Sequence, residues 1–555
     1  MDPILIDLYP NKILKGWVRV KFDTQKYSYA SRRTVSFAKN GMVATSSPLP
    51  AQVGLDVLKK GGNAIDAAVA TAAALSVIEP TSNGIGADSF ALIWYKGKLY
   101  GLNGSGRSPR LISGEKLLEK GLKAVPSDGW DPVMVPGTPS AWAEAVKKFG
   151  NLSLSEVLEP AAKYAEEGYP LAPNIGKQWV LGYKRFMKAG GPEKFEGWFE
   201  TFAPDGKMLS DGDVFRCQAM ADTLREIGAT NAESFYRGEL AKKIAAYSEK
   251  TDGWMRLDDL EDYRAEFVEP ITTNYHGYDV YELPPNGHGI TVLMALNILK
   301  GFDLGNNRES VDVYHKTIEA MKLAFVDGKE YVADPKAMKT KVADMLSEEY
   351  AAERRKLITD TAVMPEPGTP FSGGTVYLCT ADKEGNMVSW IQSNYMGFGS
   401  GIVVPGTGIS FNNRGANFSL DPTKDNFLEP GKKAYHTIIP GFLCKDGKAV
   451  GPFGVMGGFM QPQGHLQVLL NTIDFGMNPQ EALDAPRFQW VGGKKVQLER
   501  AVPTDIALKL AAMGHEVEIM NDTYSMGRGE IIWRWDDEVL VGASEPRCDG
   551  HVASW

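Results

Sequence analysis

The 555-residue chain has only four cysteines, Cys217, Cys379, Cys444 and Cys548, far apart and in no CxxC pair. That argues against a disulfide framework, and no Cys/His ligand spacing suggests a zinc site. Basic residues (60) are fewer than acidic ones (69) and form no stripe, so nucleic acid is not an expected partner. No apolar run approaches the ~18 residues needed to cross a bilayer, so no membrane partner is expected. The opening MDPILIDLYPNKILKGW carries acids where a signal peptide begins basic, and Asp7 and Pro10 break its apolar stretch. The expected compartment is therefore the cytosol. There is no internal repeat, no Gly-X-Y period, and no GxGxxG following a strand with an acid about twenty residues on. Collagen-like and dinucleotide-binding readings fall away.

What is present specifies a folded chain. Apolar residues make up 43% and charged residues 23%, enough to bury a large core. At roughly 150 residues per domain the length suggests three to four domains. The 59 glycines fall in short clusters, which marks tight turns and close backbone approaches. Residues 1–40, polar and aromatic with Arg32 and Arg33 together, read as a surface arm. Gln52 to Lys60 read as a short helix stopped by Gly61-Gly62. Ala64 to Val77 are small and apolar all round apart from Asp66, Thr71 and Ser76, which predicts a buried helix too short for a membrane. Residues 89–110 read as strand, turn, strand and glycine-rich loop. The stretch 112–270 is mostly helical, 271–283 is a strand pair, and Val313 to Tyr331 form a long amphipathic helix. From 375 the texture turns β-rich, interrupted by a helix from Gln461 to Phe475. Met364 to Gly374, between the two textures, is the most linker-like stretch.

The first β-rich pair, TVYLCTA and MVSWIQS, flanks the five-residue turn DKEGN with Gly385. A symmetric turn puts Thr375 opposite Ser393, two hydroxyls side by side at the ladder end. On geometry alone this is a structural Thr–Ser pair after a glycine turn. Chemistry offers a second reading. A hydroxyl beside a glycine carbonyl can attack the preceding peptide, between Gly374 and Thr375. Hydrolysis of the ester leaves Thr375 as a new N-terminus. Its α-amine, with a pKa of about 7.7–8.0, then takes the proton from its own Oγ. No histidine is needed, which suits a chain whose seven are scattered. Tyr377 and Trp390 on the same hairpin read as packing.

Further motifs come in a telling order: GGNAIDAAVA, EPTSNGIG, VPGTP, EAMKLAF, DGKEYVADP, KEGNMVS, FGSGIVVPGTGISFNN, GPFGVMGGFMQPQGH and GMNPQEALDAPRF. Together they resemble the γ-glutamyltranspeptidase family from about residue 41 to 550. The chain is most similar to the branch holding hydrolase-like proteins and oxamate-type amidohydrolases. The resemblance implies an α+β fold, the four-layer αββα sandwich of N-terminal-nucleophile hydrolases with two stacked, mainly antiparallel sheets. It implies a proenzyme cut between Gly374 and Thr375 into chains of 374 and 181 residues. Parts 41–374 and 375–555 would stay together as a heterodimer in one interlaced unit. No metal or organic cofactor is expected.

Residue by residue, the resemblance makes Thr375 the nucleophile and Ser393 its supporting hydroxyl. Gly457 and Gly458 match the glycine pair whose N–H groups form the oxyanion hole. Without it they read as a glycine turn between strand and helix. Arg107 resembles the arginine that binds a substrate carboxylate; the strict match falls on Ser105, and Arg110 is a further candidate. Where transpeptidases hold an α-amine with an asparagine and an acid, this chain has Tyr395 and Asn417. Arg414 replaces a neutral amide, and His436 and Thr437 replace paired serines. Uncharged Asn417 leaves a γ-glutamyl ammonium without its carboxylate. A site with Arg107, Arg414 and His436 suits an anionic acyl group lacking an amine.

The leading expectation is a self-cleaving amide hydrolase acting on small γ-glutamyl compounds such as glutathione. A hydrolase of oxamate or another dicarboxylate monoamide is the alternative. A non-cleaving binding protein is the third reading, since Val376 follows Thr375 where many relatives carry a second hydroxyl. The lid segment SLDPTKDNFLEPGKKAY is short, which favours hydrolysis over transfer. Asp66 and Glu79 read as core support, His465 as a helix cap or backbone partner, and Arg547 with Asp549 as an ion pair.

Overall fold

The alternating residues after 374 form the hairpin Gly374–Asp382 and Met387–Tyr395, every residue of its second strand buried. In the computed structural model, residues 23–25, 32–365, 374–536 and 538–555 are described. The hairpin lies in the middle of a seven-stranded antiparallel sheet. Its order is His551–Ser554, Gly41–Thr45, Gly374–Asp382, Met387–Tyr395, Asp88–Tyr95, Lys98–Gly104 and Glu266–Val268. A second seven-stranded antiparallel sheet packs on the first. It runs Ser36–Ala38, Leu540–Ser544, Arg528–Arg534, Lys448–Met456, Gly441–Lys445, Tyr278–Glu282 and Ile271–Tyr275. Strands from before and after residue 374 share both sheets. The sequence's division into a helix-rich and a β-rich part is therefore not a division in space. Of the expected linker, residues 366–373 lie outside the described residues, as do 1–22 and 26–31 of the expected arm. Within the rest of the arm, Ser36–Ala38 is an edge strand paired with Leu540–Ser544.

Helices cover both outer faces. Ala64–Ile78 is buried along its whole length, as its all-apolar composition requires. Asn63 and Asp66 close its N-terminus with a capping box. The helix is tied to the hairpin at both ends of its packing surface. Ala64 N–H donates to Asp382 Oδ2 (2.8 Å), Thr380 Oγ1 donates to the Ala64 carbonyl (2.7 Å), and Gln392 Nε2 donates to the Ala72 carbonyl (2.7 Å). Ile290–Leu299, Val311–Tyr331 and Gln461–Ile473 form the layer over the second sheet. No helix of the described residues is long and apolar enough to cross a membrane.

Candidate active site

Three adjacent strands place Thr375, Ser393 and Asp88 side by side. The hairpin register runs regularly from Val376 opposite Gln392 to Ala381 opposite Met387, as a symmetric turn requires. It slips by one residue between Gly374 and Val376, so Thr375 sits in a bulge. The two hydroxyls still meet: Thr375 Oγ1 donates to Ser393 Oγ at 3.2 Å. Ser393 Oγ also accepts the Tyr395 N–H (2.8 Å), and Gln461 Nε2 lies 3.4 Å from Thr375 Oγ1. Both hydroxyl residues are fully buried. On its other side Ser393 pairs with Asp88.

Asp88 is the hub the sequence did not reveal. Its Oδ2 lies 3.0 Å from His436 Nε2 and 3.4 Å from Arg414 Nε, while Oδ1 accepts the Gly106 N–H (3.1 Å). Arg414 Nη1 donates to Thr437 Oγ1 at 2.6 Å, and the guanidinium lies over the Tyr395 ring, 4.7 Å from its centroid. Arg414, His436, Thr437 and Tyr395, all expected at the site, thus form one buried cluster. Arg414 Nη2 has no hydrogen-bond partner among the described residues, and neither has Asn417 Nδ2. Asn417 closes the short helical turn Arg414–Asn417, and its carbonyl accepts from Asn426 Nδ2.

Arg107 is engaged elsewhere. Its guanidinium meets Glu266 (3.0 Å) and Asp334 (3.8 Å), and it is half-buried. Ser105, fully enclosed, hydrogen-bonds Asn103 and Asn286. Arg110 pairs with Asp258 and Asp262 at the surface.

Gly457 and Gly458 form the turn between strand Lys448–Met456 and helix Gln461–Ile473, with φ of +138° and +60°. A Cβ on Gly457 would lie 3.2 Å from Gly527 Cα and 3.4 Å from Met460 Cβ. Conformation and space both call for glycine here.

Arg528 also escaped the sequence reading. Its Nη2 donates to the Thr375 carbonyl at 3.0 Å, and its Nη1 reaches Glu79 (3.3 Å) and the Tyr524 hydroxyl (2.8 Å). Glu79, expected only to support the core, is the counter-ion of this buried cation. Two other expectations are corrected. His465 bonds neither backbone nor cap; it faces the buried Glu282 carboxylate at 2.8 Å. Arg547 pairs with Glu499 and Glu545, whereas Asp549 accepts from Asn174. Distant strands bring Glu282 to His465 and Glu499 to Arg547, and Arg547 takes the nearby Glu545 rather than Asp549.

Among the described residues, His315, Glu319 and His515 could gather around a metal ion. The set fits a cation poorly, because Lys322 Nζ already sits 2.6 Å from Glu319 Oε1 in the same buried space.

Burial, reinforced by the Arg414 cation, pushes His436 down to about 4, and burial pushes His465 down to about 3, from an ordinary 6.5. Both are neutral at pH 7. Between the folded values and 6.5 the unfolded chain binds more protons, so stability present above pH 6.5 is lost as pH falls toward 4. His465→Gln removes one of these groups, so the Tm advantage of wild type over this variant should shrink steadily between pH 7 and 4.5. An advantage that grows on acidification would contradict this account.

Comparison with known proteins fits these observations. The family profile described as gamma-glutamyltranspeptidase matches residues 50–555. The glutathione hydrolase-like YwrD proenzyme of Bacillus subtilis (strain 168) is 35% identical, covering 92% of this chain and 97% of its own. The oxamate amidohydrolase proenzyme of Klebsiella pneumoniae is 32% identical, covering 93% and 98%. The crystal structure of cephalosporin acylase from Bacillus halodurans superposes with a TM-score of 0.94 at 59% identity, covering 97% of this chain and 99% of that one. Their shared sandwich is the αββα fold of N-terminal-nucleophile hydrolases. Matched by this family profile over residues 50–555 and by a relative and a solved structure along nearly its whole length, the chain belongs to the gamma-glutamyltranspeptidase family and is an enzyme of that hydrolase type.

Proposed function

We propose that this enzyme cuts its own chain before Thr375 and then hydrolyses small acyl amides whose acyl group ends in a carboxylate and lacks an α-amine. Glutaryl-type amides and dicarboxylate monoamides fit this class. Arg414 carries the reading. Its guanidinium is buried beside the Thr375–Ser393 pair, yet Nη2 has no partner among the described residues. A buried donor of this kind is costly unless something accepts from it, and a carboxylate is the strongest acceptor. Asp88, the carboxylate nearest Arg414 in the cluster, is already occupied by Arg414, His436 and Gly106. It is poorly placed to hold a substrate ammonium as well. Similarity to a cephalosporin acylase and to an oxamate amidohydrolase supports the same class.

In the proposed mechanism Thr375 Oγ1 attacks the substrate carbonyl. The freed α-amine of Thr375 takes its proton and passes it to the departing amine. Ser393 orients the attacking oxygen, and the Gly457 and Gly458 N–H groups stabilise the oxyanion. Water then cleaves the acyl ester.

A second reading, hydrolysis of γ-glutamyl compounds, rests on the glutathione hydrolase-like relative. Hydrolysis of glutaryl-, γ-glutamyl- and butyryl-p-nitroanilide and of oxamate separates the two. The glutaryl or oxamate substrate should be preferred, and glycylglycine should not divert the acyl group from water. Arg414→Lys keeps a cation beside Asp88 but loses the planar fork. It should lower kcat/KM for glutaryl-p-nitroanilide by about 10- to 100-fold and leave the butyryl substrate little changed. Equal losses on both substrates would sink the assignment of Arg414.

A further inference from the structure

The bulge at Thr375 leaves its carbonyl to a partner from the opposite sheet, and that partner is Arg528. The same residue is joined to the oxyanion turn. Its backbone pairs with Met456, the residue before Gly457, and the neighbouring Gly527 Cα lies 3.2 Å from where a Gly457 Cβ would stand. Arg528 is itself held on three sides. Glu79 at the end of the buried helix takes Nη1, the Tyr524 hydroxyl accepts from it, and the Tyr524 ring stacks 4.4 Å from the guanidinium carbon. Glu79 is fixed in turn by Ser46 Oγ at 2.7 Å.

We propose that Arg528 is the positioning residue of this site: it fixes the Thr375 main chain against the Gly457-Gly458 turn, and its charge, partly offset by Glu79, tunes the α-amine that cleavage creates. The inference rests on the proposed role of Thr375 and adds what holds and tunes it. The physical ground is simple. In the cleaved enzyme the amine and the carbonyl belong to one residue, two bonds apart through Cα. A buried cation on that carbonyl therefore sits within a few ångströms of the amine. It disfavours the ammonium form and keeps more of the amine available as a base. Glu79 opposes that effect. Among the described residues, the other charged and titratable groups facing this pair include Asp88, Arg414 and His436 beyond Ser393, and Tyr524, Cys548 and Asp549 around Arg528 and Glu79. Their charges are the same in each variant below.

The two partners should act with opposite signs. Arg528→Met removes the cation, so the acidic limb of the kcat/KM–pH profile should move up by about half to one pH unit. Glu79→Gln leaves the cation uncompensated, so the limb should move down by a similar amount. Arg528→Lys retains charge but not the fork; the limb should stay within about 0.3 of wild type while kcat falls about tenfold and KM holds. Glutaryl- and γ-glutamyl-p-nitroanilide serve as substrates on processed enzyme, and denaturing gels report cleavage of each variant. The Arg528→Met/Glu79→Gln double variant provides a folded comparison if either single one is lost. Its limb should return toward that of wild type. Limbs that all coincide, or that move the same way, overturn the proposal while leaving Thr375's role intact. A wild-type chain that is never cut overturns both.

Discussion

Thr375→Ala should give a single full-length chain on denaturing gels after any incubation. Wild type should resolve into pieces of 374 and 181 residues. The substitution removes one hydroxyl and one methyl from a fully buried position, so the fold should survive with a Tm close to that of wild type. The hydroxyl it removes is the one that bonds Ser393 Oγ at 3.2 Å. Without it neither the self-cleavage nor the later acyl transfer has an attacking atom. Hydrolysis should fall by at least about 10⁴-fold, the scale seen when a nucleophile that works as part of a unit is deleted. Thr375→Ser keeps the oxygen and should still cut, more slowly. A wild-type chain that stays whole under every condition would favour the binding-protein reading. An Ala variant that still cleaves would remove Thr375 from the mechanism.

How much of this was readable beforehand follows from distance along the chain. The Thr375–Ser393 pair was legible because a five-residue turn fixes the register, and 18 residues separate the partners. The bulge at Thr375 was not, since nothing in the local alternation marks a one-residue slip. The buried helix was legible from composition alone. Asp88 was not, because it is a single acid in GADSF, and only the strand order sets it beside Ser393. Arg528 lies 153 residues from the carbonyl it holds, at the start of a strand whose local sequence is YSMGRGE. Arg414, His436 and Thr437 were picked out as departures from a family pattern, and the fold gathers them around Asp88. Arg107 came from the same reasoning, but its own loop faces Glu266 and Asp334, which take its guanidinium. Residues that act through long-range packing carry no local signature. Residues on one hairpin do.

The second large effect is expected at the glycine turn, and the two glycines should differ. Gly458, at φ +60°, lies in the left-handed region that other residues enter at modest cost. Gly457, at φ +138°, lies outside it, and a Cβ there would press on Gly527 and Met460. Gly457→Ala should therefore rotate the peptide that follows it and turn the Gly458 N–H away from the position a developing oxyanion would take. Losing one such donor costs about 10²–10³ in kcat, so the Gly457 variant should fall by that factor with KM changed little. Gly458→Ala, strained less, should keep within about tenfold of wild type. Self-cleavage passes through a tetrahedral centre one residue earlier in the chain. If the same turn serves that step, processing of the Gly457 variant should slow as well. A time course of cleavage beside steady-state hydrolysis reads both. Equal effects at the two glycines would mean that the turn is only a connection between strand and helix, and that the donors to the oxyanion lie elsewhere.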